Sequence, residues 1–155
     1  MLLYLNLDPY LAQWFINDHG GTIPVKLKRG SVESCIIEQF ITLPPSDYKP
    51  MNEGESNVQI EIPCFKSKDT RYNFFLPPKA VELLISCIRN RFDVEMWNEL
   101  YRFSSYVLKR QDELIYAFME KHGIELTETN WNAIAKRFQR KRDIYRRTMK
   151  RKSKK

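Results

Sequence analysis

The spacing of apolar residues changes period at Pro77-Pro78, and that change bounds what the chain can fold into. Upstream, short segments are broken by proline and glycine. Val58, Ile60 and Ile62 alternate with Gln59, Glu61 and Pro63, the period of a half-buried strand. A polar turn at 66–70 followed by residues 71–76 suggests that this strand is one arm of a hairpin. Residues 2–7 form another strand candidate, and Ile23, Val25 and Leu27 alternate with polar neighbours in a third, which Pro24 would place at a sheet edge. Two short helices lie between them. Asp8 can cap the first, Pro9 suits its first position, and Tyr10, Leu11, Trp14 and Phe15 share one face before Gly20-Gly21 stops it. Gly30-Ser31 opens the second, which runs to about Thr42, with Val32, Cys35, Ile36 and Phe40 as its apolar set. Residues 44–56, with three prolines, Gly54 and no periodicity, read as a linker or long loop.

Downstream the period is helical. One stripe runs through Val81, Leu84, Ile85, Ile88 and Phe92. Asp93 is expected to cap a long helix that ends at Gly123, with a break near Ser104-Ser105, and Thr127 to cap a last helix. The expected fold is α+β: a small mixed or antiparallel sheet with short helices over 1–76, then three helices over 77–149. The last of these is basic and belongs to a helix-turn-helix-like unit. Residues 150–155 are expected to be a disordered basic tail.

Charge divides the chain in a second way. Its 155 residues carry a formal +7, yet residues 136–155 alone hold twelve Lys/Arg against Asp143, or +11. The remaining 14 bases and 18 acids leave the rest of the molecule at −4. A mildly acidic body with a strongly basic arm suggests a polyanion as partner. Composition, 43% hydrophobic and 29% charged, permits a real core. No apolar run approaches the roughly 18 residues of a membrane span. The first five residues lack a basic flank and meet Asp8-Pro9, unlike a signal peptide. Cys35, Cys64 and Cys87 sit in apolar runs with unpatterned spacing, so they are expected to be buried thiols of a cytoplasmic, reducing environment.

Catalytic grammar is absent. The chain has no phosphate-cradling glycine series, no nucleophile elbow and no zinc-protease motif. His19 and His122 lie 103 positions apart and no C-x-x-C occurs, so neither a metal site nor any other cofactor is expected. The Asp47-Tyr48-Lys49 triplet falls in the proline-rich loop and reads as solvated surface. Both histidines precede glycines at helix ends, where an imidazole can meet the last carbonyls. Tyr72, Phe74 and Phe75 are expected to be core of the hairpin rather than a base-stacking platform.

The last helix carries the functional signal. With Trp131 set at 0°, Ile134, Ala135, Phe138, Tyr145 and Met149 fall within about 60°. Arg140, Arg147 and Arg151 fall within about 20° of the opposite face, with Lys136 beside them. Arg137 and Lys150 lie on the flanks, Arg142 interrupts the apolar stripe, and Ile144 interrupts the basic one. One face can therefore dock while the other presents cations to phosphates, and Arg or Asn can read base edges. The expected function is non-enzymatic binding of DNA or RNA, DNA foremost, through Asn130, Lys136, Arg137, Arg140, Arg147 and Arg151. The alternative is a protein-interaction or assembly subunit whose basic arm binds an acidic partner. Neither a membrane nor a small-molecule substrate is indicated.

Overall fold

A computed structural model describes residues 1–49, 54, 56–106 and 110–154, with backbone alone at 103–106. The fold is α+β, with three short strands, β1 (Leu2–Leu5), β2 (Val25–Lys26) and β3 (Val58–Glu61). The helices are α1 (Pro9–Asp18), α2 (Val32–Phe40), α3 (Pro78–Tyr106), α4 (Gln111–Lys121) and α5 (Glu128–Lys152). Two compact units emerge, Met1–Arg91 and Phe92–Lys155, with α3 contributing residues to each.

The first unit is built on a mixed sheet of order β1-β3-β2. β1 pairs antiparallel with β3, Leu3 opposite Ile60 and Leu5 opposite Val58. β2 runs parallel to β3 at the sheet edge, as Pro24 suggests. The alternation through β3 leaves Val58, Ile60 and Ile62 buried, and α1 buries Tyr10, Leu11, Trp14 and Phe15. The expected hairpin does not form. Asp69 Oδ1 accepts from the Arg71 amide, and the Asp69 carbonyl accepts from the amides of Tyr72 and Asn73. The donors that a second hairpin arm would need are thus turned into the 69–73 turn. Its side-chain hydrogen bond with Arg71 also holds the Asp69 carboxyl below the usual carboxylate range. Residues 71–76 contribute only an isolated bridge, Thr42 with Phe75, and Tyr72 is exposed.

α2 starts where expected, with Ser31 Oγ accepting from the Ser34 amide, but it faces the other way. Glu33, Ser34 and Ile37 are buried, while Val32, Cys35 and Phe40 are exposed. The cause is an ion pair. Arg91 donates to Glu33 and Asp18, and its guanidinium lies 5.5 Å from the Trp14 ring centroid. Burial works against the Arg91 charge, but hydrogen bonds to Glu33 and Asp18 outweigh it and raise the guanidinium pKa. A carboxylate that is 1% exposed is tolerated only with such a partner, and meeting it rotates the helix. The expectation of three buried thiols fails as well: Cys35 lies on the exposed side of α2, Cys64 is exposed and Cys87 is half-buried.

In the second unit the helix expected to start at Asp93 is already under way there, since α3 runs unbroken from Pro78 to Tyr106. Residues 107–109 lie outside the described set, and α4 follows from Gln111. Phe92, Met96, Ile115, Phe118, Met119, Ile134 and Phe138 supply the core. Part of the expected disordered tail is helical, because α5 continues through Lys152. No helix among the described residues is long and apolar enough to cross a membrane.

Candidate nucleic-acid interface

The α4–α5 connection follows local rules. α4 ends at His122, and Gly123 takes φ +66°, a left-handed value that glycine adopts without strain. The Ile124 amide then returns to the Met119 carbonyl at 2.9 Å. Thr127 caps α5, its Oγ1 accepting from the Asn130 amide at 3.3 Å. Asn130 itself is buried, and its Nδ2 donates to the Glu125 carbonyl at 3.0 Å. The side chain expected to read a base edge instead closes the turn.

α5 docks by the stripe that its sequence displays as far as Tyr145, whereas Met149, its last expected member, is exposed. Ile134 and Phe138 are buried, and Trp131, Ala135 and Tyr145 are half-buried. Trp97 of α3 stacks on Tyr101 at 4.7 Å and meets the rings of Phe138 and Tyr145 at 5.7 and 5.6 Å. The Tyr101 phenol, hydrogen-bonded to Tyr145, titrates above the ordinary tyrosine range. Arg142, the interruption in the stripe, lies half-buried with Nη1 on Gln111 Oε1 at 3.2 Å and its guanidinium 5.9 Å from the Phe138 ring. Beside it, Leu100, Leu114, Ile115, Phe138 and Tyr145 wall a cavity of about 460 Å³ to which Arg146 also contributes.

The cations fall into two sets. Arg137 makes a bidentate pair with Asp93 of α3, Nε to Oδ1 and Nη2 to Oδ2, both at 2.8 Å. Lys141 Nζ approaches the same carboxylate at 3.6 Å. Lys136, Arg140, Arg147 and Arg151 are exposed, and among the described residues none has an ion-pair partner within 4 Å. Together they form one face of α5 about 22 Å long, from the 1.5 Å helical rise. Every residue from Arg146 to Lys154 is exposed as well. That adds Arg146, Lys150, Lys152 and Lys154 to the cationic surface. The docked part of α5 ends near Tyr145, which a helical wheel alone does not show. Asp93 escaped the sequence reading because it has the spacing of a cap, and its partner lies 44 positions away.

The fold also gathers Glu95, Glu99 and His122, whose ligand atoms all lie within 4.8 Å of one another. Their two helices hide this grouping in the sequence. His122 Nε2 faces Glu99 Oε1 at 2.9 Å and Nδ1 faces Glu95 Oε1 at 3.7 Å, while Lys121 Nζ takes Glu99 at 2.8 Å. Each ring nitrogen thus meets its own carboxylate, and a metal ion there would have to displace Lys121 from Glu99. His19, by contrast, sits at the end of α1 as expected, with Nδ1 and the Phe15 carbonyl 2.9 Å apart.

No family model, no curated protein and no solved structure matches this chain.

Proposed function

We propose that the protein binds nucleic acid without catalysis, DNA foremost, using the exposed cations of α5. The observation that supports this most strongly is the division of charge. Residues 1–91 carry ten bases and ten acids, while residues 92–155 carry sixteen bases and nine acids and hold the whole +7. Within that second unit the positive charge is concentrated on one helix whose docking face is separate from its cationic face. Lys136, Arg140, Arg147 and Arg151 are side chains of the kind that neutralises successive phosphates, and a helix of this diameter fits a major groove. Asn130 is left out of the direct contact set because its side chain already closes the turn before α5.

The test is a salt series on the intact chain with labelled duplex DNA, single-stranded RNA and polyglutamate. Phosphate contact predicts that log K falls linearly with log salt, with a slope of about −0.9 per phosphate neutralised on the duplex. Binding of polyglutamate with equal or greater affinity would favour the acidic protein partner instead. Absence of binding to either nucleic acid at low salt would end the proposal.

A further inference from the structure

The groove between Asp93 and α5 has a feature that the exposed row lacks, a cation held in place before any ligand arrives. We infer that this groove, formed by Asp93, Arg137, Arg140, Lys141 and Ile144, seats a single phosphodiester phosphate, with Asp93 as its positioning residue. This rests on the nucleic-acid reading above and deepens it.

Size permits the ligand: the groove measures about 200 Å³, room enough for a phosphate-sized anion. Charge selects next. Three cations and one carboxylate line it, for a local +2. The three cations sit at 137, 140 and 141, spacings that bring them to adjacent positions on one side of a helix.

Geometry separates this seat from the rest of α5. The Asp93 side chain is 8% exposed, and both of its oxygens are engaged by the fork of Arg137. A fork–carboxylate pair fixes the guanidinium plane, so Arg137 does not lose its full rotamer freedom when it meets an anion. Lys141 is drawn toward the same carboxylate from one helical turn further on. Arg140 completes the rim and belongs also to the exposed row, which makes the seat continuous with that row. Among the described residues Lys136, Arg147 and Arg151 have no comparable brace, so they attract phosphate without fixing where it sits.

The substitution Asp93→Asn tests this because two explanations predict opposite signs. If Asp93 only neutralises Arg137, removing its charge raises the local potential. A duplex of about two helical turns then binds more tightly, and the salt slope steepens by up to about 0.9. If Asp93 positions Arg137 and Lys141, affinity falls about 5- to 10-fold at ~0.1 M salt, despite the added positive charge. Arg137→Lys is the companion variant. It keeps the charge and removes the fork, and the seat predicts a loss of similar size with little change in slope. Both are measured by fluorescence anisotropy below the melting transition, with circular dichroism showing the helices intact. Should Asp93→Asn fail to fold, Arg137→Lys decides the matter. Parental or tighter binding by Asp93→Asn, or parental binding by Arg137→Lys, overturns the seat while leaving the nucleic-acid reading standing. Failure of the parent protein to bind any nucleic acid overturns that reading first.

Discussion

Changing Lys136, Arg140, Arg147 and Arg151 together to Gln removes the exposed row and touches nothing that holds the fold. All four side chains are exposed and without an ion-pair partner among the described residues, so no internal contact is lost. Glutamine is close to Lys and Arg in helix propensity, and surface changes of this kind usually fall within about ±0.5 kcal/mol each. The charge of residues 92–155 falls from +7 to +3, which lowers self-repulsion rather than stability. The magnitude for binding follows from counterion release. If each of the four meets one phosphate of a duplex, the slope of log K against log salt flattens by about 3.6. Because the lost term scales with log salt, affinity at ~0.1 M salt falls by about 10³- to 10⁴-fold, and the difference shrinks toward 1 M. Anisotropy of a labelled duplex, titrated from about 50 to about 200 mM salt, measures both numbers. Parallel slopes and equal affinity for variant and parent would refute the assignment of this face. Early melting of the variant would show instead that the face is packed against something.

Three further outcomes are expected. Phe138→Ala removes a ring that is 3% exposed beneath Trp97 and should cost about 3–5 kcal/mol in chemical denaturation, whereas Trp131→Ala, half-buried, should cost clearly less. Equal losses would mean that α5 is rotated from the orientation described. Under native conditions Cys35 and Cys64 should react rapidly with a thiol reagent and Cys87 slowly, because burial first, and then the nearby Glu33 charge, push the Cys87 thiol upward and keep its thiolate scarce. Its labelling should therefore lag at neutral pH and accelerate as alkali deprotonates it; uniform fast labelling of all three would contradict this packing. Arg91→Ala leaves Glu33 buried without its partner and should destabilise the protein by about 3–5 kcal/mol, with Glu33→Gln in the same background restoring part of the loss. No recovery in the double variant would show that the charge is not the cause.

Local grammar and tertiary pairing decided different parts of this molecule. Thr127 as the cap of α5, Gly123 as the stop of α4, Ser31 at the head of α2 and the alternation of β3 were all determined by residues a few positions apart, because capping and periodicity act over one turn or one strand. The amphipathic division of α5 was equally legible, since a wheel needs only the helix itself. Only the tertiary structure turned α2 about its axis, because Glu33 answers to Arg91, 58 positions away, and a buried carboxylate outweighs a stripe of Val32, Cys35 and Phe40. Asp93 likewise became the brace of Arg137 rather than a helix cap. β3 took β1 and β2 as partners, while the amides of Arg71, Tyr72 and Asn73 in the nearer segment turn back onto Asp69. The physical reason is common to all three: an element's existence depends on its own residues, whereas the choice of what each buried polar group pairs with is made wherever the fold brings the opposite charge or the free donor.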